Sequence, residues 1–114
     1  MIVWQKSIEL VTKVYDISRK FPEDEKFGLT SQIRRCAVSI PSNIAEGYGR
    51  KSDGELAQFL RIAYGSSSEL ETQLEISYKL NYISQDVAKS LEEELTEIRK
   101  MLNKLITTVC GTKN

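Results

Sequence analysis

Ser39-Ile40-Pro41-Ser42-Asn43-Ile44-Ala45-Glu46-Gly47-Tyr48-Gly49-Arg50 carries a helical apolar rhythm through a proline, then meets two glycines and the basic pair Arg50-Lys51. Working back to Thr30, whose hydroxyl suits a helix N-cap, the apolar positions are Ile33, Ala37, Ile40, Ile44 and Tyr48. Their spacing of four, three, four and four predicts an amphipathic helix. Pro41 removes one hydrogen bond inside that helix and crowds the Ala37 carbonyl, at a cost of about 3 kcal/mol. A kink without termination is the expectation.

The flanking segments carry the same period. A first helix is predicted from Trp4 to Lys20, with Trp4, Ile8, Val11, Val14, Tyr15 and Ile17 on one side. Phe21-Pro22 ends it, because a residue before proline is pushed out of the helical region, and the acidic loop Glu23-Asp24-Glu25 follows. Ser52-Asp53-Gly54-Glu55 reads as a capping box and opens a third helix that runs to Leu80. Along it Leu56, Leu60, Ala63, Ser67, Leu70, Leu74 and Ser77 alternate by four and three, the seam of a bundle. Asn81 suits a helix stop. Ser84 caps a fourth helix, whose seam is Val87, Leu91, Leu95, Ile98, Leu102, Leu105 and Val109 before Gly111 ends it. No segment has the period-two alternation of a strand. Long helices on short connections predict an all-α, up-down-up-down antiparallel four-helix bundle with a proline-kinked second helix. At 114 residues the chain is expected to be a single domain over residues 1–114.

Charge gives no global direction. Lysine plus arginine equals aspartate plus glutamate at 16 each, so attraction to nucleic acid would have to come from a local patch. No apolar run approaches the ~20 residues of a membrane helix, and the first residues lack the basic-then-apolar order of a signal peptide. No membrane partner and a cytoplasmic location are expected, with Cys36 and Cys110 as free thiols.

Two features exceed the needs of a lone bundle. Gly65-Ser66-Ser67-Ser68 places small residues mid-helix, where glycine costs up to about 1 kcal/mol against alanine. Such a patch either admits a close helix from another subunit or accommodates a bulky neighbour such as Trp4 or Tyr48 within the chain. The back of the second helix is the other feature. At about 100° per residue, Arg35, Ser39, Ser42 and Glu46 lie opposite the apolar stripe, with Asn43 and Arg50 at its margin. Three readings remain open for it. Arg34, Arg35, Arg50 and Lys51 contact phosphates; or a polar network of Ser39, Asn43, Glu46, Ser66, Glu69 and Gln73 lies at a subunit interface; or the face is merely solvated. Ile62 and Ile76 lie off the third helix's seam, and apolar residues on two faces imply burial on two faces.

Catalysis has little footing. The chain has no histidine, so the commonest general base and metal ligand is missing. The helical serines have no base partner, and the Gly-Lys order of a phosphate loop is not present after Gly47. No metal site and no cofactor are expected.

The run Leu29-Thr30-Ser31-Gln32-Ile33-Arg34-Arg35-Cys36-Ala37-Val38-Ser39-Ile40-Pro41-Ser42-Asn43-Ile44-Ala45-Glu46-Gly47-Tyr48-Gly49-Arg50 resembles the hallmark of the bacterial four-helix bundle proteins also called 23S rRNA intervening-sequence proteins. Phe59-Leu60-Arg61-Ile62-Ala63-Tyr64-Gly65-Ser66-Ser67-Ser68-Glu69-Leu70-Glu71-Thr72-Gln73-Leu74 resembles the family's second motif. With Phe21-Pro22 and Asn81-Tyr82-Ile83, the likeness covers nearly the whole chain. It implies a small bundle assembling into a homopentameric ring, and an association of some members with sequences inserted in large-subunit rRNA genes. A related group, the accessory variability proteins of diversity-generating retroelements, implies basic pentameric barrels that bind a reverse transcriptase and nucleic acid. The family attaches no biochemical role to the matching positions. Two functions stand as expectations: a non-enzymatic homo-oligomeric scaffold, or an accessory module that binds RNA or DNA beside a protein partner.

Overall fold

A computed structural model describes residues 1–111, and every regular element within them is helical: α1 (Ile2–Ser18), α2 (Leu29–Tyr48), α3 (Asp53–Lys79), α4 (Gln85–Cys110) and a short 3-10 turn at Glu23–Glu25. The chain is a four-helix bundle. α2 packs most extensively on α3, then α3 on α4 and α1 on α2, and α1 meets α4 least. α1 does not approach α3, nor α2 α4, among the described residues, so the four helices stand at the corners of a square in chain order. Neighbours run antiparallel. Lys6 pairs with Glu97 and Lys13 with Glu94, so α4 descends as α1 ascends, and Arg61 with Cys110 and Glu71 with Arg99 order α3 and α4 the same way.

The core follows the leucine seams of α3 and α4. Leu60, Ala63, Ser67, Leu70, Leu74 and Ser77 are buried, as are Leu91, Leu95, Ile98 and Leu102 opposite them. Ser52 caps α3 by accepting from the Glu55 amide at 3.1 Å, and Ser84 caps α4 by accepting from Val87 at 3.1 Å. Only the serine half of the capping box forms as expected; the Glu55 carboxylate instead takes the Ser52 hydroxyl at 3.4 Å. α3 stops in a Schellman motif. Asn81 adopts φ 65°, and the amides of Tyr82 and Asn81 reach the carbonyls of Ser77 and Tyr78 at 2.8 and 2.9 Å.

α2 continues unbroken through Pro41, burying Ile33, Cys36, Ala37, Ile40, Pro41, Ile44 and Gly47. Its beginning differs from the expectation. Thr30 is buried and does not cap; Gly28 holds the cap position, and the Glu25 carboxylate accepts from the Leu29 amide at 3.1 Å. The same carboxylate takes the Tyr82 hydroxyl at 2.8 Å, and Phe21 packs on the Tyr82 ring at 5.2 Å between centroids. These contacts tie the α1–α2 connection to the α3–α4 turn at one end of the bundle.

α1 corrects the predicted stripe. The helix buries Val3, Ser7, Leu10, Val14 and Ser18, whereas Trp4 and Ile8 stand about two-fifths exposed. Ser7 and Ser18 can be buried because their hydroxyls donate to the carbonyls of Trp4 and Tyr15, three residues back, at 2.7 and 3.2 Å. α1 also begins two residues before, and ends two before, the predicted Trp4 to Lys20. Tyr48, the last member of the α2 stripe, is likewise exposed.

Candidate functional site

The polar back of α2 and the second motif on α3 come together in one groove of about 390 Å³, lined by Gln32, Arg35, Cys36, Ser39, Ser66 and Glu69. Its floor is a chain of small polar groups. The hydroxyls of Ser39 and Ser66 share a hydrogen bond at 2.7 Å. Asn43 donates its amide to the Ser39 carbonyl at 2.8 Å and to its hydroxyl at 3.0 Å, one turn along α2. The Cys36 thiol donates to the Ser66 carbonyl at 3.1 Å. Burial, and beyond it the neighbouring Glu69 carboxylate, pushes that thiol up to about 12. A thiol held protonated is a poor nucleophile. The sequence marks Cys36 only as a free cysteine, yet it lies on the line of Ser39 and Asn43, three and seven residues before them.

Small residues let α2 and α3 approach. Gly47 is buried, and a Cβ there would stand 3.0 Å from both Leu56 Cδ1 and Phe59 Cβ. Gly65 behaves in the opposite way: a Cβ there would meet nothing within 4 Å. Gly65 therefore accommodates no bulky neighbour among the described residues, neither Trp4 nor Tyr48. The rest of its patch divides between two duties. Ser67 lies in the core with its hydroxyl on the Tyr64 carbonyl at 2.6 Å, and Ser66 belongs to the groove.

Around Gly65, the outer face of α3 carries two exposed isoleucines among polar groups. Ile62 and Ile76 are 44% and 42% exposed, and Glu69 stands exposed between them. A second bare face crosses α1 and α2, where Met1, Trp4, Ile44, Ala45 and Tyr48 line an apolar hollow of about 230 Å³. Ile8 on α1 and Val38 on α2 are exposed as well. Gln73, one turn beyond Glu69, is buried with its side-chain oxygen unpartnered.

The four basic residues do not form one surface. Arg34 turns toward α1, donating to the Ser18 hydroxyl at 2.7 Å and stacking 4.7 Å from the Tyr15 ring. Arg35 lies in the groove with a hydrogen bond to Ser31 at 3.2 Å. Arg50 pairs with Glu46 at 2.8 Å and lies 4.9 Å over the Phe59 ring, which takes Glu46 out of the groove network. Lys51 is exposed in the α2–α3 turn. About 20 Å of α2 separates Arg35 from the helix end at Tyr48 at 1.5 Å per residue, and Arg50 lies beyond that end.

Both cysteines are free thiols, no helix among the described residues is long and apolar enough to cross a membrane, and no group of three or more metal-ligating side chains occurs among them. No curated protein matches the chain. A solved structure is similar along nearly its whole length: a protein of unknown function from the S23 ribosomal protein family of Bacteroides thetaiotaomicron VPI-5482. It is 29% identical, with a TM-score of 0.85 and coverage of 92% of this chain and 98% of that one. The model of the 23S rRNA-intervening sequence protein family matches residues 1–104. The chain, from α1 through most of α4, thus belongs to the 23S rRNA-intervening sequence protein family.

Proposed function

We propose that this protein is a non-enzymatic scaffold that assembles with copies of itself through the outer face of α3. The observation that carries the reading is Gly65. A mid-helix glycine costs up to about 1 kcal/mol, and no side chain among the described residues needs the space. Another copy does. Exposed Ile62 lies one turn before the notch and exposed Ile76 three turns beyond it on the same helix, and the bare Trp4, Ile8 and Tyr48 of α1 and α2 supply knobs of matching character. The two faces lie on different sides of the bundle, so a head-to-tail contact uses one from each copy, the kind of contact from which rings are built when the rotation between copies closes. Five copies is the number that the family resemblance implies. The absence of histidine and the protonated Cys36 thiol favour a scaffold over an enzyme.

Light scattering on the purified chain at tens of micromolar tests the reading. The unaltered protein should give a multiple of the 13.0 kDa chain, and Gly65→Glu should give folded single copies. A single-chain mass for the unaltered protein would overturn it. Nucleic-acid binding has weaker support, since Arg34 and Arg50 are engaged within the chain. It requires RNA affinity that falls steeply with salt and that weakens in Arg50→Glu with Lys51→Glu.

A further inference from the structure

α1 has a third face, which neither the core nor the self-association surface uses. Trp4 and Ile8 lie on the flank toward α2, while Lys6, Glu9, Lys13, Asp16 and Ile17 lie on the flank toward α4. This is the seam where two helices approach each other least. A groove of about 380 Å³ opens there between α1 and α4, its apolar side lined by half-buried Ile17 and Val87 and by the edge of buried Leu91. Lys13 and Asp16 stand at its rim, Lys13 paired with Glu94 at 2.6 Å and Asp16 with Arg19.

The rim is acidic on a chain of zero net charge. Glu9, Asp16, Asp86, Glu94 and Glu97 line this seam against Lys6 and Lys13. Counting Arg19 beside Asp16, two negative charges remain in excess, and Asp86 takes part in no ion pair among the described residues. An apolar floor between carboxylates selects a ligand that is apolar along one line and cationic beside it. Anionic lipid and nucleic acid have the wrong sign.

We infer that the α1–α4 groove docks a cationic amphipathic helix of a partner protein. Leucine-like side chains spaced three and four apart rest on Ile17 and Val87, and lysine or arginine on the flanks meets Asp16, Asp86 and Glu94. The groove lies away from the Gly65 and Trp4 faces, so the inference stands whether or not the chain self-associates.

The test is a titration of the full chain into a fluorescently labelled synthetic helix of leucine and lysine in amphipathic order, read by anisotropy. Its leucine–glutamate counterpart serves as the comparison. The lysine helix should bind, with affinity falling as salt rises, and the glutamate helix should not. Asp16→Lys with Asp86→Lys should weaken binding by about tenfold, and Val87→Ser should weaken it at unchanged salt dependence. Glu75→Lys, a charge reversal on α3, should leave it unchanged, and circular dichroism should show every variant folded. Equal binding by the groove variants, by Glu75→Lys and by the unaltered chain would overturn the inference, since the attraction would be diffuse. So would binding of both helices alike, absence of binding at low salt, or a change of subunit mass in the groove variants, which would make a second copy the occupant.

Discussion

Gly47 and Phe59 face each other so closely that a Cβ on the glycine would stand 3.0 Å from the Cβ of the phenylalanine. Neither atom is the tip of a flexible side chain, so the contact sets how near the end of α2 lies to the start of α3. Gly47→Ala is expected to destabilise the fold by about 1–3 kcal/mol through overpacking. Gly65→Ala should do the reverse, stabilising the single subunit by up to about 1 kcal/mol, because its Cβ enters open space and alanine favours the helix. Urea unfolding of both variants, at dilutions that keep copies apart, checks the opposite signs. A loss of stability in Gly65→Ala would mean that the notch is filled from within the chain.

How far the sequence discloses this fold depends on whether the deciding contact is local. α3 and α4 are readable because leucine recurs at their seams and Ser52 and Ser84 stand at their starts. α1 is ambiguous because Trp4 and Ile8 form one apolar line and Val3, Leu10 and Val14 another. The line that goes inside includes Ser7 and Ser18, whose burial depends on carbonyls within the helix. The α2 start is hidden because its acceptor is Glu25, in the preceding turn, rather than Thr30. The groove is partly visible: Arg35, Ser39 and Asn43 share a flank by periodicity alone. That Ser39 meets Ser66, 27 residues away, depends on how α2 and α3 are aligned, which no local pattern states.

The serine pair should be worth little by itself and more as a unit. Ser66→Ala removes one partner of a half-buried hydroxyl, while Asn43 still reaches Ser39 at 3.0 Å. A loss of about 0.5–1.5 kcal/mol is expected. Ser39→Ala deprives both Ser66 and the Asn43 amide of the hydroxyl and should cost more. The double variant should cost less than the sum of the singles, as neighbours sharing a bond do. Strict additivity in a double-mutant cycle would show that the two hydroxyls do not interact.

Leu70 lies on the α3 seam with no exposed surface. Leu70→Ala should lower unfolding free energy by about 2–5 kcal/mol, from lost transfer energy and the cavity left behind. The charged surface pairs Lys6–Glu97 and Lys13–Glu94 should contribute far less, since exposed ion pairs are worth about 0–1 kcal/mol. Equilibrium unfolding of Leu70→Ala beside Lys6→Ala separates the two scales. A loss under about 1 kcal/mol for the leucine would mean that the seam is not the core.

Cys36 gives the groove a pH signature. Burial and the nearby Glu69 carboxylate raise its thiol to about 12 in the fold, against about 8.5 for an unfolded cysteine. A raised folded value means that the fold favours the protonated thiol. The stabilisation is therefore complete below about 8.5 and is lost as pH rises from there toward the folded value, because the unfolded chain ionises first. The slope approaches about 1.4 kcal/mol per pH unit once the unfolded thiol is fully ionised. Tyr82 and Lys13 also titrate upward of their ordinary values, so the clean window ends near pH 10, where those groups begin to contribute. Urea midpoints followed from pH 7 to 10 should fall for the unaltered chain and stay flatter in Cys36→Ala. A disulfide-exchange reagent at pH 8 should modify exposed Cys110 promptly and Cys36 only as the chain unfolds. Equal labelling of both thiols in the native protein would mean that the α2–α3 groove opens at Cys36, and that its hydrogen bond to Ser66 does not hold the two helices together.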